Sequence, residues 1–161
     1  MKQLTILTLL VFTPLFIQAQ NKEIEELNNL LNEWHLAATN ANANVFFEFM
    51  HSDCIYIGTD ETERWTKDEF VKFAKPYFDK GKAWDFKPIE RAIYFSKNKK
   101  FAWFNETLST WMGICRSSGV LEKYGKKWKL KHYHLSVTIQ NEKIKEFIEL
   151  INRKETPPHQ E

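Results

Sequence analysis

The sequence predicts an α+β domain. A curved antiparallel sheet wraps around N-terminal helices as a cone-shaped barrel with a cavity, and a C-terminal helix follows. Three observations carry this expectation. Residues 22–41 repeat apolar side chains at helical spacing, and a second helical pattern follows at 66–81. Residues 84–139 then read as successive strand runs separated by turns. A last helical pattern closes the chain. Helices grouped apart from a run of strands pack on one side of the sheet instead of crossing between its strands.

In the first helix, Ile24, Leu27, Leu31, Trp34 and Ala38 recur at i, i+3, i+4, and Leu30 widens the stripe. The run 40–44 breaks it, and Val45 to Met50 reads as a short second helix. Cys54-Ile55-Tyr56-Ile57 is a strand ended by Gly58-Thr59-Asp60, and Glu63-Arg64-Trp65 can pair back as a hairpin arm. Thr66-Lys67-Asp68-Glu69 has the pattern of a capping box, in which each terminal residue satisfies an amide of the other. The helix it opens carries Phe70, Phe73, Ala74 and Tyr77, with Pro76 expected to kink or end it and Gly81 to terminate it. Lys97-Asn98-Lys99-Lys100 separates two strands, residues 111–113 form a bend, and Lys123-Tyr124-Gly125-Lys126 is a hairpin loop. Asn141 is expected to cap the last helix, with Ile144, Phe147, Ile148 and Ile151 inward.

The 161 residues suit one domain with a full core. Lys2, the apolar stretch Leu4–Ile17 and the small-residue site after Ala19 predict a secretory signal peptide over 1–19. A folded domain over 20–155 and a flexible tail over 156–161 complete the organisation. The mature chain is then expected outside the cytoplasm, periplasmic or secreted, with no membrane segment. A net charge of +2 without a clustered basic run argues against nucleic acid. Export would put Cys54 and Cys115 where disulfides form, although buried strand cysteines are commonly just small apolar residues.

Alternation along Trp128–Ser136 puts Trp128, Leu130, His132, His134 and Ser136 on one face, read as the wall of a polar-floored pocket. The hairpin leaves two registers open. If paired numbers sum to 250, Arg116 faces His134 and Val120 faces Leu130. If they sum to 249, Arg116 joins Tyr133 and Leu135. The first gives the better inner wall, and a slip of one residue exchanges the faces.

Gly58-Thr59-Asp60, Glu63-Arg64-Trp65, Arg116–Leu121 and the Trp128–Ser136 strand, in this order, resemble the SnoaL-like branch of the nuclear transport factor 2-like superfamily, over about residues 22–152. The resemblance implies a cone-shaped α+β barrel, frequent dimerisation through the outer sheet face, and a cavity used as variously as by isomerases, polyketide cyclases, dehydratases and non-catalytic association domains. Fold therefore implies no single function. Isomerase-like chemistry needs a carboxylate base and a neutral donor beside an apolar wall. Glu106, sharing a face with Ala102, Phe104 and Leu108, and His134 are the catalytic candidates. For Glu106 the competing reading, which the residue types favour, is a structural ion pair with Arg116. Tyr56, Trp34, Trp65, Arg116, His132 and Ser136 are expected to line a ligand cavity. Two histidines without a third ligand fall short of a metal site, so no metal or other cofactor is expected. A small apolar molecule is the expected partner, with a homodimer through the outer face, served by Tyr133, Leu135 and Val137.

Overall fold

The computed structural model describes residues 4–153 of the chain. Helix α1 (Leu4–Thr39) begins inside the segment read as a leader and carries the expected stripe, with Leu27, Leu31, Trp34 and Ala38 buried. Helix α2 (Ala43–Phe49) starts where the Asn42 side-chain oxygen accepts the Val45 N–H at 3.2 Å. Strand β1 (Met50–Ile57) turns through Gly58–Glu63 into the short β2 (Arg64–Thr66). Helix α3 (Lys67–Asp79) opens on the capping box, Thr66 and Glu69 satisfying each other's backbone amides. Pro76 lies in its last turn without ending it, and Gly81 takes a φ of +83°, where a side chain would be strained.

The buried stripe of α3 is Phe70, Ala74 and Phe78, so Phe73 and Tyr77 are left partly open to solvent. Strands β3 (Lys87–Phe95), β4 (Phe101–Thr110), β5 (Gly113–Tyr124) and β6 (Lys127–Val137) form an antiparallel meander. The six strands lie in the order β2-β1-β6-β5-β4-β3. The sheet curves over the helices without closing and is mixed, not wholly antiparallel, because β1 runs parallel to β6. A 3-10 turn (Asn141–Lys143) leads into α4 (Ile144–Ile151). Two expectations fail here. Asn141 makes no cap, and Ile144, Phe147, Ile148 and Ile151 keep 40–61% of their surface in solvent instead of facing the core. The tail expected at 156–161 lies outside the described residues.

The core fills the concave side of the sheet. Trp34 stacks on Phe46 with ring centroids 4.9 Å apart and meets Tyr133 edge-on at the same distance. Tyr56 stacks on Phe70 at 3.9 Å. Cys54 and Cys115 are free and buried.

Strand β6 corrects the expected face. Near the hairpin, Leu121 pairs with Leu130 and Lys123 with Trp128, but beyond it Val120 pairs with His132 and Arg116 with Ser136. Paired numbers therefore sum to 251 and then 252, because Lys131 is an extra residue on β6. Such a bulge shifts the alternation by one. Trp128 and Leu130 point into the core, and after the bulge Tyr133 and Leu135 do. His132, His134 and Ser136 are turned to the convex outer face, together with Arg116, Ser118 and Val120.

Candidate functional site

Glu106 comes from the inner face of β4, as its sequence pattern predicts, among Ala102, Phe104 and Leu108. Its partner is Arg91, directly opposite on β3, and not Arg116, which is exposed on the other side of the sheet. Arg91 donates to Glu106 Oε2 from Nε at 2.8 Å and brings a second guanidinium nitrogen to 2.6 Å. On Oε1, His35 Nε2 lies at 2.9 Å and the Ser117 hydroxyl donates at 2.8 Å. Arg91 also donates to the Asn28 carbonyl at 3.1 Å and to Asn32 Oδ1 at 2.9 Å, which ties α1 to the sheet. Burial pushes the Glu106 carboxyl up, but the His35 hydrogen bond and charge, the Arg91 guanidinium and the Ser117 hydroxyl together hold it below its ordinary value. Three hydrogen bonds and a close guanidinium contact thus surround the buried carboxylate, as expected of a structural ion pair.

Elsewhere, at the mouth of the cone, lies a 260 Å³ pocket between α3, the Gly58–Glu63 loop and the 111–112 bend. Its walls are aromatic: Tyr56, Trp65, Phe73, Tyr77, Trp84 and Trp111, closed at the base by Phe70 and Leu135. Trp65 stacks on Phe73 at 4.5 Å, and Trp111 is 83% exposed at the rim. Glu63 is the charged residue of the lining. Its Oε2 accepts the amides of Thr59 at 2.9 Å and Asp60 at 3.2 Å. The loop folds so closely on this carboxylate that a Cβ on Gly58 would meet Glu63 Oε2 at 2.1 Å, which is why glycine stands there. Burial, then the Glu63 charge, pushes the Tyr56 phenol well up, so it stays a neutral donor in the wall. Glu106 does not line this pocket.

The expected site residues therefore separate. Tyr56 and Trp65 border the mouth pocket. Trp34 is a core residue at 2% exposure and touches a different groove, of about 500 Å³, between α1, α2 and the β5–β6 hairpin. That groove is larger, but Glu26, Glu33, Glu48, Lys126, Lys127 and Lys129 line it as opposed, solvated charges. His134 and Ser136 border an outer groove under Phe147 of α4, with His134 Nε2 and Ser136 Oγ 3.2 Å apart. His132 is half-buried beside them, and burial, then the charges of His134 and Arg64, lowers its pKa. Placing His132, His134, Ser136 and Arg116 on a cavity wall is thus corrected by the Lys131 bulge. The same shift buries Tyr133 and Leu135, leaving Val137 as the exposed member of the expected dimer set.

His35 as a partner of Glu106, Arg91, Ser117 and Glu63 were not foreseen. Arg91 was legible: a turn centred on Lys97–Lys100 pairs numbers summing to 197, which sets Arg91 opposite Glu106. Ser117 was legible in the same way, since β4–β5 pairs sum to 223 around the Trp111–Met112 bend, whereas His35 carries no such signal because the tertiary packing of α1 decides its position.

Residues 27–140 match the model of the SnoaL-like domain family, so the chain belongs to that family. Solved structures of nuclear transport factor 2-like proteins share the fold. One is a protein of unknown function from Pseudomonas putida KT2440, with 12% identity, 73% of this chain and 88% of that chain covered and a TM-score of 0.61. Another, from Streptomyces avermitilis, is provisionally named a dehydratase, with 9% identity, 75% and 99% covered and a TM-score of 0.65. A further solved structure of similar fold, from Xanthomonas campestris, is provisionally named a calcium/calmodulin-dependent protein kinase II association domain, with 17% identity, 71% of this chain and 87% of that chain covered and a TM-score of 0.54. No curated protein matches the sequence significantly.

Proposed function

We propose that the chain is an exported small-molecule-binding domain whose ligand seats in the aromatic pocket at the cone mouth. The observation that carries this reading is the pocket itself: concave, ringed by Trp65, Phe73, Tyr77, Trp84 and Trp111, and supplied with few polar groups, the usual composition of a ligand site. Lys2 and the apolar stretch after it support export. The enzyme reading with Glu106 or His134 as base has less support. Glu106 is enclosed by Arg91, His35 and Ser117, and His134 is on the convex face. A thermal-shift screen against small apolar compounds tests the proposal. Binders are expected that raise the melting temperature of the native chain and lose that effect in Trp65→Ala. A broad library without a single stabilising compound, together with failure of small organic cations to bind, refutes it.

A second reading, association of two copies through the outer sheet face, is favoured by the exposed Tyr94, Phe101, Trp103 and Ile114 on that face. Light scattering separates the two, since a clean monomer removes the association reading and leaves the binding one untouched.

A further inference from the structure

The mouth pocket is electrostatically one-sided. Its lining contains a carboxylate, Glu63, and no lysine, arginine or histidine. Most of the remainder is aromatic ring, with Thr59, Met112, Leu135 and two small residues between, and ring faces carry negative quadrupole charge that attracts cations. Lys82 and Lys87 belong to the adjoining depression on the other side of Trp84, where Lys87 lies 3.4 Å from Asp85. The Tyr56 phenol, in the wall, feels the negative charge of Glu63. The carboxylate is also fixed in place, since the Thr59 and Asp60 amides hold one of its oxygens and Gly58 leaves room for it. A carboxylate anchored this way keeps its net charge beside the rings while its side-chain freedom has already been spent in the loop fold.

We propose that the ligand of this pocket presents a compact alkylammonium group, a quaternary ammonium above all, held among Trp65, Phe73, Tyr77, Trp84 and Trp111 with Glu63 as counter-ion. This inference rests on the reading of the mouth pocket as the ligand site. An uncharged apolar ligand would leave the Glu63 charge without use and would pay for its partial desolvation. A cation gains from both the rings and the carboxylate, and a quaternary one sheds water most readily because it donates no hydrogen bond.

The test compares choline with its uncharged isostere 3,3-dimethylbutan-1-ol, by titration calorimetry at fixed ionic strength, on the full chain and on Glu63→Gln. Glutamine keeps an oxygen that can accept the Thr59 and Asp60 amides, so the loop keeps its shape while the charge is lost. Choline is expected to bind the native chain at least about tenfold more tightly than the isostere. Glu63→Gln is expected to lose most of that preference while binding the isostere as before. Equal binding of the two compounds by the native chain, or a preference that survives Glu63→Gln, overturns the cation proposal and leaves the pocket reading standing. Failure of choline to bind also overturns the proposal. If the apolar library fails with it, the pocket reading falls as well.

Discussion

Replacing Arg91 by Met tests whether Glu106 belongs to the scaffold. The Glu106 side chain is fully buried, and among the described residues Oε2 has contacts to Arg91 only, at 2.8 and 2.6 Å, while Oε1 keeps His35 and Ser117. Arg91→Met thus leaves a buried carboxylate with one oxygen unpartnered, and also releases Asn28 and Asn32 of α1. Breaking a buried pair by removing one partner costs about 3–5 kcal/mol, which for a domain of this size corresponds to a melting temperature lower by roughly 6–20 °C. Urea unfolding at neutral pH measures it. The pH dependence supplies a second check. In the native chain the Glu106 pKa is below its unfolded value, so its contribution is full above the ordinary carboxyl range and is lost as pH falls through the lower folded value. Without the guanidinium, burial dominates and the folded pKa rises, so the variant's penalty is greatest at neutral pH and shrinks toward about pH 4. Adding Glu106→Gln to the variant removes the buried charge and should recover part of the loss. A loss below about 1 kcal/mol, with a gap that does not change with pH, would refute the assignment of Glu106 to a structural ion pair.

Five further outcomes are expected. Deleting Lys131 removes the bulge and forces either Trp128 and Leu130 or Tyr133 and Leu135 out of the core; with about 1.5–3 kcal/mol per large apolar side chain, the deletion variant should be largely unfolded by circular dichroism. Lys131→Ala keeps the residue and loses the ion pairs to Asp53 and Glu122 with the contacts to Tyr124 and His51, so it should cost about 1 kcal/mol and leave the chain folded. Gly119→Ala would set a Cβ 2.6 Å from the buried Phe104 ring and 2.8 Å from the His132 carbonyl, and should lose about 1–3 kcal/mol in urea unfolding. Thr66→Ala breaks the α3 capping box and should lose about 1 kcal/mol by the same assay. Finally, burial pushes the Cys54 thiol up to about 12, and both cysteines are free, so a thiol reagent should label neither until the chain unfolds, and a reductant should not move the melting temperature.

How much of this was legible in the residues follows from which forces decided each part. Local signals survived folding: the α1 stripe, the Thr66–Glu69 box and the turns at Lys97–Lys100 and Gly125 depend on neighbours in sequence. The inner face of β4 was also readable, because alternation runs unbroken through Ala102, Phe104, Glu106 and Leu108. On β6 the same rule failed at one residue. Nothing in Lys129-Leu130-Lys131-His132 announces a bulge, and that extra residue moved two histidines, a serine and two apolar side chains to opposite faces. Helix α4 misled for a different reason. Its apolar stripe is real, but a stripe says only that a face prefers cover, not that this chain supplies it. The mouth pocket was half visible: Tyr56 and Trp65 were named from the strand and loop they occupy, whereas Phe73, Tyr77, Trp84 and Trp111 come together from three distant segments.

The six tryptophans allow the central claim to be tested in one spectrum. Trp65, Trp84 and Trp111 line the mouth pocket, Trp34 and Trp128 border the groove beside α1, and Trp103 is on the outer face. With indole nitrogens labelled, titration with the tightest compound from the thermal-shift screen should move the Trp65, Trp84 and Trp111 signals and leave the other three in place. Shifts at Trp34 and Trp128, with the mouth tryptophans unmoved, would contradict the account and place the ligand in the other groove.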